Sequence, residues 1–255
     1  MILKIIILAI IQGITEFLPV SSSGHLVFLQ HFFGIKQNQL VIDVVLHFGT
    51  LFSILLFFKK DLVKIANISY FKNKENVLKL IYVIIAIIPA GIVGVLLNDL
   101  IEAKLFFIHF VGIMWIINGI NLFILSKYDK KQKKNLNLVS SLIVGLSQIF
   151  AILPGISRSG TTIATGVYSG MSRKLSAKFS FFIAIPIIFG ASVLKIKDVI
   201  ENPANFDILA LLIGFVISFI VGYLSLKLLF SVLYNKKIKY FAYYSLLIGI
   251  ISLFL

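Results

Sequence analysis

The sequence predicts an all-α integral membrane protein: six transmembrane helices plus two re-entrant helical hairpins, arranged as an inverted repeat. Three observations predict it. The chain of 255 residues is 59% hydrophobic and only 13% charged, with a mean hydropathy of +1.04. A soluble domain carries about 25% charged residues, so this chain lacks the charge to cover a sphere in water. Its apolar stretches have the length of membrane spans, and two of the others break at Pro- and Gly-containing turns. Its Lys and Arg residues fall unevenly between alternate loops. A soluble enzyme and a disordered chain are excluded by the same composition. The net charge of +14 would suit a nucleic acid, but the distribution of the basic residues favours membrane orientation, and no nucleic-acid partner is expected. Cys is absent, so disulfides, thiolate metal sites and a cysteine nucleophile are absent too.

The elements follow in order. Lys4 and the apolar run 5–15 resemble a signal peptide, but Gln12 and Glu16 close the run with no small-residue cleavage pattern. Then come Pro19, the turn Ser21-Ser22-Ser23-Gly24-His25 and a second short apolar run at 26–33. Neither run reaches the roughly 20 residues that cross a bilayer, so residues 1–34 are expected to enter and leave on one side. Spans are expected at 40–58, 80–97, 105–126, 179–194, 208–226 and 240–255. Between the third and fourth, 138–153 is apolar, Pro154-Gly155-Ile156-Ser157-Arg158-Ser159-Gly160 interrupts, and a small-residue helix follows at 161–170. Residues 138–170 are therefore the second hairpin, because irregular backbone at membrane depth survives only where protein or water surrounds it. The alternative is an ordinary span over 138–157.

With six spans and two hairpins, eighteen basic residues fall on the cytoplasmic side and five outside, with Arg158 inside a hairpin. Both termini then lie outside, the first hairpin enters from outside and the second from inside. Gly13-Ile14-Thr15-Glu16 and Gly145-Leu146-Ser147-Gln148 each precede a Pro and a Ser-Gly turn. The chain divides into a first repeat at 1–126, a basic linker at 127–137 and a second repeat at 138–255. Each repeat has a hairpin and three spans. Three is odd, so the second copy lies upside down, an architecture that places its site near the midplane.

Few residues carry chemistry. Gln12 and Glu16 are four apart and share a helix face. A carboxylate in a membrane segment is a functional candidate by default, and with the amide oxygen it suits Mg²⁺ or Ca²⁺. Ser21, Ser22 and Ser23 can cap the next helix, whose free N–H groups attract anions. Ser22 and His25 are three apart and are a candidate nucleophile and base. Arg158 lies among Ser157, Ser159, Thr161 and Thr162, and its planar fork matches phosphate oxygens. The alternative for Arg158 is a structural ion pair with Glu16. Asp43 and His47 are weaker candidates for outer support, His31 and His109 are expected at the interface or in the core, and nothing is assigned to the single Trp115.

Gln12-x-x-x-Glu16 and Phe17-Leu18-Pro19-Val20-Ser21-Ser22-Ser23-Gly24-His25, with Pro154 to Thr162, resemble the undecaprenyl-diphosphate phosphatase family, which is tied to bacitracin resistance. The resemblance covers the whole chain. It implies hydrolysis of undecaprenyl diphosphate to the monophosphate carrier lipid of cell-wall synthesis, with a divalent cation, at the outer face of the bacterial plasma membrane. By motif match, Glu16, Ser22, His25 and Arg158 are catalytic candidates. Ser21, Ser23, Ser157, Arg158, Ser159 and Thr162 are phosphate-binding candidates, and Gln12 and Glu16 are the metal candidates. Many family members carry Glu where this chain has Gln12, which leaves Glu16 the firmer ligand. The phosphatidic-acid phosphatase type needs a later His, and none follows His109. The nucleophile is either Ser22 or an activated water. A polyprenyl diphosphate lipid and the bilayer are the expected partners, and a homodimer is a possible assembly. A transporter or flippase of a phosphorylated lipid is the alternative function.

Overall fold

The computed structural model describes residues 2–34, 39–128, 135–201, 207–234 and 237–255. Most of the basic linker, together with Lys36 and Lys236 of the charge count, lies outside the described residues. Twelve helices occur among those described: α1 (Ile2–Thr15), α2 (Ser22–Phe33), α3 (Gln39–Phe57), α4 (Lys59–Ala66), α5 (Ile68–Phe71), α6 (Lys74–Leu105), α7 (Ile108–Lys127), α8 (Leu138–Phe150), α9 (Arg158–Tyr168), α10 (Arg173–Glu201), α11 (Ile208–Tyr234) and α12 (Lys239–Ser252). Five of them, α3, α6, α7, α10 and α11, are long and apolar enough to cross a membrane. The protein is an all-α, multi-pass membrane protein.

The expected spans lie within these helices, with shifted ends. α6 and α10 run to 32 and 29 residues, past the stretches read from hydropathy. Their polar ends continue the helix because backbone bonding does not require apolar side chains. The stretch 240–255 holds a helix of only 14 residues. The stretch 59–79, expected as a loop, contains α4 and α5.

The four short helices end where the sequence breaks. α1 stops at Thr15, and Pro19 cannot continue an N–H ladder. Ser21 takes φ 70°, the one positive φ among described non-glycine residues, and caps α2 by accepting from Gly24 N. α8 stops at Phe150, Gly155 takes φ 98°, and Ser157 caps α9 by accepting from Gly160 N. That stop leaves α8 at 13 residues, or about 20 Å, short of the roughly 30 Å hydrocarbon core. One unbroken helix through 138–157 is therefore not formed.

Each short pair folds back on itself. Lys4 Nζ donates to Phe33 O at 2.7 Å, which joins the start of α1 to the end of α2. At the other pair, Leu136 before α8 packs on a cluster that contains Met171, just after α9. α1 packs on α11, and α8 packs on α6. Gly13 and Gly145 make those approaches close. A Cβ on Gly13 would stand 2.9 Å from Gly222 N, and one on Gly145 would stand 2.9 Å from Ala86 Cα. α3 packs against both α10 and α11, and α7 against α12. The largest core cluster, with Phe17, Ile54, Leu122, Ile163, Phe181 and Leu229, lies between these helices.

Candidate active site

Two helix N-termini meet across the turns that precede them. Ser21-Ser22-Ser23-Gly24 opens α2 and Ser157-Arg158-Ser159-Gly160 opens α9. In both, the first serine caps the helix and shares a hydrogen bond with the third, at 3.2 Å for Ser21–Ser23 and 3.1 Å for Ser157–Ser159. Ser22 and Arg158 therefore occupy the same position in two equivalent turns. The turns touch directly, since Gly155 N donates to Ser21 Oγ at 3.1 Å.

Glu16 stands between them. Its Oε1 accepts from Arg158 Nη2 at 2.6 Å. Its Oε2 accepts from Ser22 Oγ at 2.6 Å and from Gln12 Nε2 at 3.1 Å, and His47 Nε2 lies 3.8 Å away. The Glu16 side chain is only 6% exposed. Burying a carboxylate is costly unless it is paired and hydrogen-bonded, and here Arg158 carries positive charge while Ser22 and Gln12 donate. Two polar atoms beside it have no partner: Arg158 Nη1 and Gln12 Oε1 are both buried and unsatisfied. The residue on Oε1 thus keeps a spare donor, and one of the residues on Oε2 keeps a spare acceptor. Buried orphans of this kind suit a ligand that supplies both an anionic oxygen and a cation.

The sequence candidates divide. Gln12, Glu16, Ser22 and Arg158 come together, with Ser23 half-buried beside Ser22. The expected pairing of Ser22 with His25 is not formed. His25 Nδ1 lies 2.6 Å from Ser21 O, so that nitrogen carries the proton, and the neutral ring accepts at Nε2 from the Tyr244 hydroxyl at 2.7 Å. Both ring nitrogens are occupied, and the hydroxyl of Ser22 turns to Glu16 instead. Ser21 and Ser157 have their oxygens engaged as caps. The Thr162 hydroxyl bonds Arg158 O at 2.7 Å and Ser180 Oγ at 2.6 Å, within the helix packing rather than toward Glu16. The Glu16–Arg158 ion pair weighed from the sequence does form, yet it leaves one guanidinium nitrogen unused. His47 reaches the carboxylate, whereas Asp43 accepts from Gln30. His31 and His109 are exposed.

Sequence reasoning missed three residues. Trp115 Nε1 donates to Val20 O at 2.8 Å, and its ring packs edge-on to His25. Asn118 bonds to both turns. Tyr244 stacks on His25. A buried Trp N–H and a mid-span Asn each require a partner, and that requirement was the available signal. Nothing local in the sequence marks Tyr244, which reaches His25 from 219 residues away.

The chain matches the family described as "Bacitracin resistance protein BacA" over residues 5–251. It is 39% identical over 258 residues to a protein of Halothermothrix orenii named undecaprenyl-diphosphatase, covering 100% of this chain and 98% of that one. It is 40% identical to a protein of the same name from Methanobrevibacter smithii, over 98% of this chain and 96% of the relative. Undecaprenyl-diphosphatase 2 of Bacillus thuringiensis is 36% identical, over 99% and 97%. These matches run through both turns and all the helices that carry the site, and they bear out the resemblance read from the two motifs: the chain belongs to the bacitracin resistance protein BacA family.

Proposed function

We propose that this protein hydrolyses undecaprenyl diphosphate to undecaprenyl phosphate and inorganic phosphate. It thereby recycles the carrier lipid of cell-wall synthesis and confers bacitracin resistance. The relatives' names and the family match support the reaction. The observation that carries the mechanism is the 2.6 Å bond from Ser22 Oγ to Glu16 Oε2, with Arg158 on the other oxygen of the same carboxylate.

Glu16 takes the Ser22 proton as Oγ attacks the terminal phosphorus. The anhydride P–O bond breaks, and undecaprenyl phosphate leaves with its electron pair. Glu16 passes that proton to the departing lipid phosphate and is a carboxylate again. It then takes a proton from the water that attacks the phosphoserine and returns it to Ser22 Oγ as inorganic phosphate departs. In the variant mechanism, Glu16 deprotonates water directly and Ser22 only orients it. Arg158 meets the charge on the equatorial oxygens, and the N-termini of α2 and α9 add their dipoles. His25 acts through Ser21: its Nδ1–H holds the carbonyl of the residue before the nucleophile.

A divalent cation fits the donor set. Gln12 Oε1 is a buried oxygen without a partner, next to the only carboxylate of the site. No cluster of three or more His, Asp or Glu side chains suited to a metal occurs among the described residues. Gln12 and Glu16 would therefore be the residues that hold a cation here, with the rest of its ligands coming from outside the protein, as for hard cations at phosphates. When bound, it supplies neutralisation of the diphosphate charge.

The same proposal covers the frame: six spans and two re-entrant hairpins in inverted repeats 1–126 and 138–255, in the plasma membrane, with the site open to the outer face. The exchange of packing partners, α1 on α11 against α8 on α6, supports it, as do the equivalent glycines and caps. Such frames also serve transporters, so the test must read chemistry. Purified protein in detergent, given undecaprenyl diphosphate with Mg²⁺ or Ca²⁺, is expected to release phosphate, and Arg158→Ala or a chelator to abolish it. No release from folded protein with either cation would overturn the phosphatase and favour lipid transport.

A further inference from the structure

Irregular turns at membrane depth expose backbone groups that no water can satisfy. In this protein both turns bring those groups to one face of α7. Asn118 is 1% exposed in the middle of that helix. Its Nδ2 donates to Pro19 O at 2.9 Å and to Ser245 Oγ at 3.2 Å, and its Oδ1 accepts from Ser157 N at 3.2 Å. The amide orientation is unambiguous, because a carbonyl can only accept and a backbone N–H can only donate. One turn earlier, Trp115 Nε1 takes the neighbouring carbonyl, Val20 O, at 2.8 Å. Two successive carbonyls of the first turn are thus bonded by two side chains of α7. The amide immediately before Arg158 is bonded by the second of those side chains.

We infer that Asn118 is a positioning residue that sets the register of the two turns, and through it the distance between Ser22 and Arg158. This rests on the phosphatase reading of the site. Asn118 touches none of the proposed reacting groups. It fixes Pro19, midway between Glu16 and Ser22, and Ser157, adjacent to Arg158. Ser21 Oγ also joins the turns, accepting from Gly24 N and Gly155 N, but it belongs to one of them; Asn118 holds both from a third helix, α7. Gly160 also lies against it, since a Cβ there would stand 3.3 Å from Asn118 Oδ1. A polar side chain smaller than Asn cannot span the three partners, and an apolar one leaves Pro19 O and Ser157 N buried without partners.

The test compares Asn118→Leu with two controls in the phosphate-release assay. Ser245→Ala removes one partner of Asn118 and leaves its bonds to both turns. Gly119→Ala stresses the same α7–α12 contact, where a Cβ would stand 2.7 Å from Leu246 Cγ, without touching a turn. Misplacing reacting groups by about 1 Å costs on the order of 100-fold, so Asn118→Leu is expected to lower kcat by about 10- to 100-fold, with KM changed far less. Ser245→Ala is expected to keep kcat close to wild type, and Gly119→Ala to lower the thermal midpoint but not kcat. Wild-type kcat in Asn118→Leu would overturn the inference. So would an equal loss in Gly119→Ala, because that would reduce Asn118 to a general packing role. If Asn118→Leu does not fold, Asn118→Ser is read by the same criteria. If the wild type itself releases no phosphate, the phosphatase reading fails, and amide exchange decides the inference separately. Residues 153–160 are then expected to exchange faster in the Asn118 variant than in Ser245→Ala, and equal exchange would overturn it.

Discussion

At the scale of single residues, the site turns on which group receives the Ser22 proton. In Glu16→Gln the amide oxygen still accepts from Ser22, while Arg158 loses its counter-charge, so the thermal midpoint is read beside the rate. The same variant is expected to lose about 10²- to 10⁴-fold in kcat, the usual contribution of a general base. Ser22→Ala separates the two nucleophiles. If serine attacks, activity falls to background; if water attacks, a substantial rate survives in phosphate-release kinetics. Tyr244→Phe tests the revised place of His25. It removes only the donor to Nε2 and leaves the bond to Ser21 O, so it should cost less kcat than His25→Ala, which frees that carbonyl. A larger loss in Tyr244→Phe would show that the Nε2 side of the ring matters to the chemistry. Glu16 and Arg158 were legible in the sequence because a charge within an apolar segment is expensive and therefore conspicuous. The Ser22–Glu16 pairing was not. Helical spacing favours Ser22 with His25, and only the non-helical turn around Pro19 brings a residue six positions earlier against the hydroxyl.

At the scale of elements, close helix approach and surface charge make opposite predictions. Gly13 and Gly145 sit where α1 and α8 meet the backbones of α11 and α6. Gly145→Val forces heavy atoms into Ala86 and should destabilise by about 1–3 kcal/mol or more, read as a lower thermal midpoint in detergent. An unchanged midpoint would mean that α8 can move away from α6 without loss. The Asp61–Lys178 bridge joins α4 to α10 at 2.7 Å, but its side chains are 35% and 43% exposed. Solvent and salt screen such a pair, so Asp61→Asn is expected to shift stability by no more than about 0.5 kcal/mol. The positions of the long helices were legible from hydropathy, but their ends were not. α6 and α10 continue through polar residues that a hydropathy window excludes. α4 and α5 escaped notice because short surface helices have no long apolar run to announce them.

At the scale of the whole molecule, the two short helix pairs were legible from paired fragments such as Gly13–Glu16 and Gly145–Gln148, because both pairs need a glycine for close packing and a turn to stop the helix. What the fragments could not give was which long helix each pair packs on: α1 packs on α11, late in the chain, and α8 on α6, early in it. If α8 and α9 form a re-entrant hairpin, the chain returns to the side it left. Lys127 at the end of α7 and Lys174 at the start of α10 then lie on the same side of the membrane, with Lys104 near the other end of α7 on the opposite side. All three side chains are exposed, and the chain has no Cys, so single substitutions Lys104→Cys, Lys127→Cys and Lys174→Cys each introduce one reporter. A membrane-impermeant maleimide added to intact cells is expected to label Lys104→Cys only. The other two should react after the membrane is opened. If Lys127→Cys and Lys174→Cys reacted from opposite sides, α8 and α9 would together make a full crossing, the two copies would run parallel, and the inverted repeat would fall. The charge bias argues against that outcome: such a crossing would exchange Arg173, Lys174 and Lys178 with Lys195 and Lys197 across the membrane and weaken the excess of basic residues on one side.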